Sequence, residues 1–268
     1  MHLIQDLNII AIDRIDNFLK ADLLTLPDQT RKHLFMSEIQ VKQILSILNR
    51  FANPDAISSM ARYGIIAEHV LGVTIPNLRK IAKNYHNNHE LAAELWRINS
   101  RETRILATMT DDPKLLTESQ MEAWAKDFTY WEICDQCCAN LFKKHPLAWK
   151  KANDWSSHTN ADKKRAAFVL MACLAIGDKK APDSRFEAFL PFIKNEADDD
   201  RNLVKKAVNW ALRQIGKRNL HLNQKAIQAA EEILRQESRS ARWIATNALR
   251  ELKSSAVQKR LNLFFNNN

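Results

Sequence analysis

Glycine occurs four times in 268 residues, and that scarcity restricts more than any other feature what this chain can fold into. A sandwich or barrel of many short strands needs a turn about every eight to twelve residues, and tight turns draw on glycine and proline. With four glycines, seven prolines and 46% hydrophobic residues, the chain is expected to be all-α. Its length fits one large domain or two small ones.

Apolar residues recur at three and four positions through most of the chain, the spacing of a helix with one buried face. This periodicity predicts helices near 38–52, 54–62, 76–86, 89–98, 101–111, 117–127, 130–144, 146–155, 161–176, 184–196, 201–218, 223–236 and 239–252, with a last one near 256–265. Thr117 with Gln120 and Ser184 with Glu187 have capping-box spacing, and Pro54, Pro76, Pro113, Pro146 and Pro182 fall near helix starts, where a missing N–H costs little. Short helices in close succession predict a HEAT-like repeat solenoid of antiparallel helical hairpins over residues 37–268, with an irregular helical bundle as the alternative. Residues 1–36 carry apolar patches (Leu3, Ile4, Ile9, Ile10, Phe18, Leu19) ahead of the first well-marked hairpin. They form either a capping helix or a loosely attached extension.

No run of about 18 apolar residues exists to span a bilayer, and Asp6, Asp13 and Asp16 stand where a secretory signal is basic. Four cysteines, three of them clustered at Cys134, Cys137 and Cys138 with Cys173 apart, do not make a disulfide framework. A cytoplasmic location follows as the expectation, with nucleoid association in a prokaryote. Cys134, Cys137, Cys138 and His145 could be weighed as zinc ligands, yet their neighbours Ile133, Leu141 and Phe142 favour packing and no metal.

The net charge of +9 is uneven: from Arg201 onward the balance is +10, and the first 200 residues sum to −1. A local basic surface suits a polyanion such as DNA or RNA, and a solvated basic face without a partner is the plain alternative. On helix 201–218, Val204, Val208, Ala211, Leu212 and Ile215 gather on one side at 100° per residue, and Trp210 projects roughly 140° from their centre. Its companions out there are Lys206, Arg213 and Lys217. An aromatic ring among cations suits contact with a sugar or base beside phosphates, while a protein hot spot or cover by the next repeat would also account for it. Trp131 and Asp135, four residues apart, share another helix face. A carboxylate beside an indole can stabilise positive charge on a sugar during glycosidic cleavage and orient water, although most such aspartates are solvated or paired. Lys163, Lys164 and Arg165 open a very apolar helix, Ala166 to Ile176; they attract phosphate to its N-terminus, Arg165 is a buried partner for an acid such as Asp135, or both roles coexist.

Taken in order, Met60-Ala61-Arg62-Tyr63-Gly64, Leu71-Gly72-Val73-Thr74-Ile75-Pro76, Glu94-Leu95-Trp96, Trp131-Glu132-Ile133-Cys134-Asp135-Gln136, Lys164-Arg165-Ala166-Ala167-Phe168 and Val204-Lys205-Lys206-Ala207-Val208-Asn209-Trp210-Ala211-Leu212-Arg213 resemble the DNA alkylation repair family, the AlkD-type HEAT-like repeat DNA glycosylases. The resemblance covers about residues 38 to 252. It implies a concave basic surface on which Trp131, Trp210 and Asp135 face the deoxyribose of a damaged nucleotide, Arg165 and Arg213 contact phosphate, and Tyr63 lies near the lesion. The implied reaction is hydrolysis of the N-glycosidic bond of an N3- or N7-alkylated, cationic purine in double-stranded DNA by a monomer that needs no cofactor. Lys164, Lys206 and Lys217 are the further DNA-binding candidates. Tyr130 stands where the best-matched glycosylases have tryptophan and Glu132 where they have aspartate, departures that bear on lesion range and leave Trp131, Asp135 and Trp210 intact. Some branches of the superfamily bind unusual DNA without cleaving bases, so a non-catalytic binder of damaged or branched DNA stays open as an alternative, and a HEAT-type protein-interaction scaffold as a third reading.

Overall fold

The computed structural model describes residues 28–67 and 69–266. Every regular element among them is helical. Two compact units divide the chain between Thr117 and Glu118. The expected extension at 1–36 falls outside the described residues up to position 27, and from Asp28 onward the chain is already in a helix.

The first unit holds α1 (Asp28–Arg50), α2 (Pro54–Arg62), α3 (Ile75–Ala82), α4 (His89–Arg97) and α5 (Arg101–Thr110). On α1, Val41, Ile44, Leu45 and Leu48 are buried at helical spacing, and this stripe packs against α4. Asn88 caps α4 by accepting from the Leu91 amide at 3.1 Å, and its own amide nitrogen donates to Gln40 of α1 at 3.0 Å. Gly72 has φ +76, and a Cβ there would lie 2.1 Å from the Asn53 carbonyl oxygen. Only glycine fits that approach. The following loop is then clamped from α5: Glu102 accepts from the amides of Leu71 at 3.0 Å and Val73 at 3.2 Å, while Arg101 donates to the Val73 carbonyl and to Glu102, each at 2.9 Å. Both charges are buried, so the clamp depends on each partner being present. Glu102→Gln, which turns an N–H donor toward other donors, is expected to lower stability by about 3–5 kcal/mol; urea unfolding measures it, and a loss under about 1 kcal/mol would show that the loop is held by other contacts.

The second unit contains α6 (Glu118–Lys126), α7 (Trp131–Asn140), a 3-10 turn (Phe142–Lys144), α8 (Ala148–Asp154), α9 (Ala161–Gly177), α10 (Asp183–Glu187), α11 (Leu190–Asn195), α12 (Asn202–Ile215), α13 (Leu220–Leu234), α14 (Arg239–Leu252) and α15 (Ser255–Asn266). Its centre is α9, which is buried continuously from Lys164 to Ala175. A helix apolar on all sides needs neighbours all round, and α6, α7, α8 and α12 supply them. The core stripe expected on α12 is as read: Val204, Val208, Ala211, Leu212 and Ile215 are all fully buried. At its end, a Cβ on Gly216 would come within 2.8 Å of Ala226 and Leu252, so α13 and α14 close on α12 at that point.

Several boundaries differ from the periodicity. The helix expected over 184–196 is two, α10 and α11, because Pro191 has no N–H to give Glu187 and its ring crowds the preceding turn. Ser184 lies inside α10 behind Pro182 at the N-cap, so the capping box expected there does not form. The helix expected to run from 130 to 144 ends at Asn140 and tightens into the 3-10 turn. Among the described residues no helix is long and apolar enough to cross a membrane.

Candidate functional site

Trp131 opens α7, with Tyr130 at its N-cap, and one turn later Asp135 lies on the same side. Both are partly exposed, whereas Tyr130, Glu132, Ile133 and Cys134 are buried. Local periodicity thus turns the indole and one carboxylate outward. The two departures from the family pattern, Tyr130 and Glu132, fall on packed positions.

Arg165, in the first turns of α9, reaches this pair. Its Nη2 donates to both carboxylate oxygens of Asp135 at 2.9 Å, and Nε donates to Oδ1 at 3.1 Å. The remaining arm, Nη1, donates to the Leu203 carbonyl of α12 at 2.7 Å. The guanidinium also lies 6.0 Å from the centroid of the Trp131 ring. One buried arginine therefore joins three helices. The buried partnership with Asp135 read from the sequence is present.

Burial outweighs this cation. Asp135 keeps 20% of its side chain exposed, and burial, with the nearby Glu132 charge adding to it, pushes its carboxyl up to about 6 against the downward pull of Arg165. A carboxylate that titrates near neutrality is a common property of acid–base and electrostatic sites.

Leu203, Lys206, Trp210 and Arg213 follow one another at three- and four-residue steps on α12, and Lys217, two residues past its end, continues the spacing, so they form one outer stripe opposite the core. All are partly or fully exposed. Trp210 sits two turns beyond the Leu203 carbonyl gripped by Arg165, and roughly 10 Å along the helix axis. With its amide oxygen turned toward them, Gln214 accepts from Trp210 Nε1 at 3.0 Å and from Lys217 Nζ at 3.0 Å, which fixes the indole on its outer edge. The site thus brings Asp135 and Arg165 into direct contact beside Trp131, with Trp210 on the adjoining helix.

The expected phosphate contacts separate. Lys206 is exposed and has no ion pair among the described residues. Arg213 and Lys217 both bind Glu251 of α14, the latter at 2.6 Å, and Lys164 is held by Glu196 and, at 3.1 Å, Asp199. These three cations already have carboxylate partners with which a phosphate must compete. Tyr63 lies in the first unit at the end of α2, 75% exposed. Glu251 and Gln214 were not found by sequence reading. Gln214, one turn past Trp210, was open to the same helical-face reading; Glu251 is 38 positions from Arg213 and left no local signal.

The cysteines pack. Cys134, Cys137, Cys138 and Cys173 are free and buried, and burial drives the Cys173 thiol up to about 12 and Cys138 well above the ordinary thiol value. Neither offers a reactive thiolate at neutral pH.

A family model described as DNA alkylation repair enzyme matches residues 44–262. Among solved structures, a protein from a family related to the HEAT-like repeat DNA glycosylases with affinity for branched DNA structures superposes with a TM-score of 0.65 at 20% identity, spanning 78% of this chain and 94% of that one. An engineered protein (TM-score 0.37, 14% identity, 90% of this chain and 96% of that one) and a designed armadillo repeat protein (TM-score 0.35, 15% identity, 86% and 97%) also match. No curated protein matches the chain. The first likeness carries the fold: an all-α, HEAT-like arrangement of helical hairpins.

Proposed function

The chain belongs to the DNA alkylation repair enzyme family, and from that membership we propose that the cluster of Trp131, Asp135 and Arg165, with Trp210 beside it, hydrolyses the N-glycosidic bond of purines alkylated at N3 or N7 in duplex DNA. The observation that carries this reading is the Asp135 carboxylate, held in place by Arg165 at 2.9 Å and set beside an outward indole. A purine alkylated at these nitrogens is already cationic and leaves without a strong acid. What remains to be stabilised is the positive charge that develops on the deoxyribose, and an ionised carboxylate fixed before the reaction does that without reorganising. Oδ2 of Asp135 takes one arginine bond against the two on Oδ1 and so retains acceptor capacity, enough to orient a water toward the sugar. The indole faces of Trp131 and Trp210 add attraction for the same cationic sugar.

DNA is held on this reading by Lys206 and by whichever of Arg213, Lys217 and Lys164 a phosphate draws from its carboxylate. Affinity is expected to fall linearly with the logarithm of salt concentration, by about 0.9 log units per phosphate neutralised. Glu251→Gln, which releases Arg213 and Lys217, is expected to tighten binding to a paired duplex and to steepen that slope by about one to two phosphates; fluorescence anisotropy across a salt series measures both, and an unchanged slope would exclude the two cations from the DNA contact.

The direct test is chromatographic measurement of methylated purines released from alkylated duplex DNA. Release by the wild-type chain supports the glycosylase. Binding without release leaves a non-catalytic binder of damaged or branched DNA; affinity for branched DNA structures is what is ascribed to the family of its structural relative.

A further inference from the structure

The surface next to Trp210 carries a second exposed tryptophan that the glycosylase reading does not use. On α14, Ala241, Ile244, Ala245, Ala248 and Leu252 are buried, and the opposite face presents Arg239, Arg242, Trp243, Thr246 and Arg250 around a shallow depression of about 390 Å³. Trp243 is 41% exposed, and the ammonium of Lys205, on α12, stands 5.3 Å from its ring centroid. The seam between the two helices is closed below by Asn209, whose amide donates to the Ile244 carbonyl at 3.0 Å, and by the pairs of Arg213 and Lys217 with Glu251. The α14 face therefore adjoins the Lys206–Trp210 stripe.

The face is basic, and its guanidinium groups are not neutralised by a carboxylate among the described residues. Elsewhere in the unit, Lys151 and Lys163 pair with Glu122, Lys194 with Glu232, Arg201 with Asp199 and Lys253 with Glu231. Arg239, Arg242 and Arg250 have no ion pair among the described residues. Three unneutralised guanidinium groups spread over about 16 Å of helix fit a chain of regularly spaced anions, and the lone indole among them fits a flat π-face. In a paired duplex that π-face is stacked away, and exposing it costs a few kcal/mol per step. In an unpaired strand it is free.

We propose that the outer face of α14 is a second strand site, in which Trp243 stacks on an unpaired base of single-stranded DNA and Arg239, Arg242 and Arg250 hold the flanking phosphates. Lys205 takes the phosphate nearest the stacked base. The inference rests on reading the second unit as a DNA surface, but not on any step at Asp135. Its consequence is a preference for lesions close to a gap, flap or frayed end over lesions inside a continuous duplex.

The test measures fluorescence anisotropy of the full chain with three labelled probes: a continuous duplex, the same duplex with a short single-stranded gap, and an oligothymidylate. Wild type is expected to bind the gapped duplex and the oligothymidylate, the gapped form more tightly than the continuous one. Trp243→Ala is expected to weaken both about tenfold, Trp243→Phe to restore most of the loss, and the continuous duplex to bind Trp243→Ala as it binds wild type. Base release from continuous alkylated duplex is expected to stay at the wild-type rate in Trp243→Ala; absence of release by the wild type defeats the glycosylase reading and leaves this one standing. Equal affinity of wild type and Trp243→Ala for all three probes overturns the strand site. So does a Trp243-dependent affinity for a polyglutamate peptide without affinity for oligothymidylate, which would make the face a protein contact.

Discussion

Asp135→Asn is expected to slow release of N3- and N7-methylated purines from duplex DNA by about a hundredfold or more, the size of effect seen when one preorganised electrostatic group is removed from a reacting centre. The substitution keeps the side chain's shape and one oxygen, so DNA affinity is expected to change little. What disappears is the negative charge facing the sugar. The same charge gives the wild-type chain a pH profile. With the Asp135 carboxyl pushed up to about 6, the ionised form dominates above that pH, and the rate is expected to fall as pH drops through about 6 and to be flat above 7. Stability moves in the opposite direction, because the folded chain holds this proton more tightly than the unfolded chain, whose aspartate titrates near 3.9. The contribution of the protonated side chain to stability is complete below about pH 4 and is lost as pH rises past about 6. Rates for both proteins from pH 5 to 8, beside their melting curves, measure the two effects together. Equal release by wild type and Asp135→Asn would remove Asp135 from the mechanism.

The features that could be read before the structure are those encoded within a few turns of helix. The buried stripe of α12 and the outward placement of Trp210 follow from 100° per residue alone, and α14 begins and ends where its pattern does, at residues 239 and 252. Trp131 and Asp135 share a face for the same reason. Local pattern fails where a contact joins distant parts of the chain. Arg165 meets Asp135 across 30 residues and the Leu203 carbonyl across 38, and nothing local chose between a phosphate and a carboxylate as its partner. Arg213 and Lys217 look like free cations on their own helix; it is the packing of α14 that brings Glu251 to them. The +10 balance after Arg201 counts charges and does not say which are already spent on the protein. By that measure Trp243 was as legible as Trp210, since the same angular reading of α14 puts it among arginines.

Arg165→Leu is expected to have the largest effect on the fold of the second unit and to change the chemistry at the same time. The arginine is buried, and its loss leaves Asp135 without a cation and the Leu203 carbonyl without its donor, a removal of one partner from a largely buried pair that costs about 3–5 kcal/mol. The cost depends on pH. Without the guanidinium the one influence drawing the Asp135 carboxyl downward is gone, so its titration moves above 6. At pH 5 the side chain is neutral in the variant and needs no counter-charge; at pH 8 it must either ionise without a partner or hold a proton against the solvent. Urea unfolding is therefore expected to show a larger loss at pH 8 than at pH 5, and the base-release profile to shift to higher pH. Replacing both residues, Arg165→Leu with Asp135→Leu, removes the buried charge altogether and is expected to recover much of the stability at pH 8 and none of the activity. That divergence separates the two roles of the pair: an arginine that only braced three helices would give variants whose stability and pH profile move independently, whereas one that also sets the charge state of Asp135 must shift both in the single variant. A single variant with the wild-type pH profile would assign Arg165 to the fold alone.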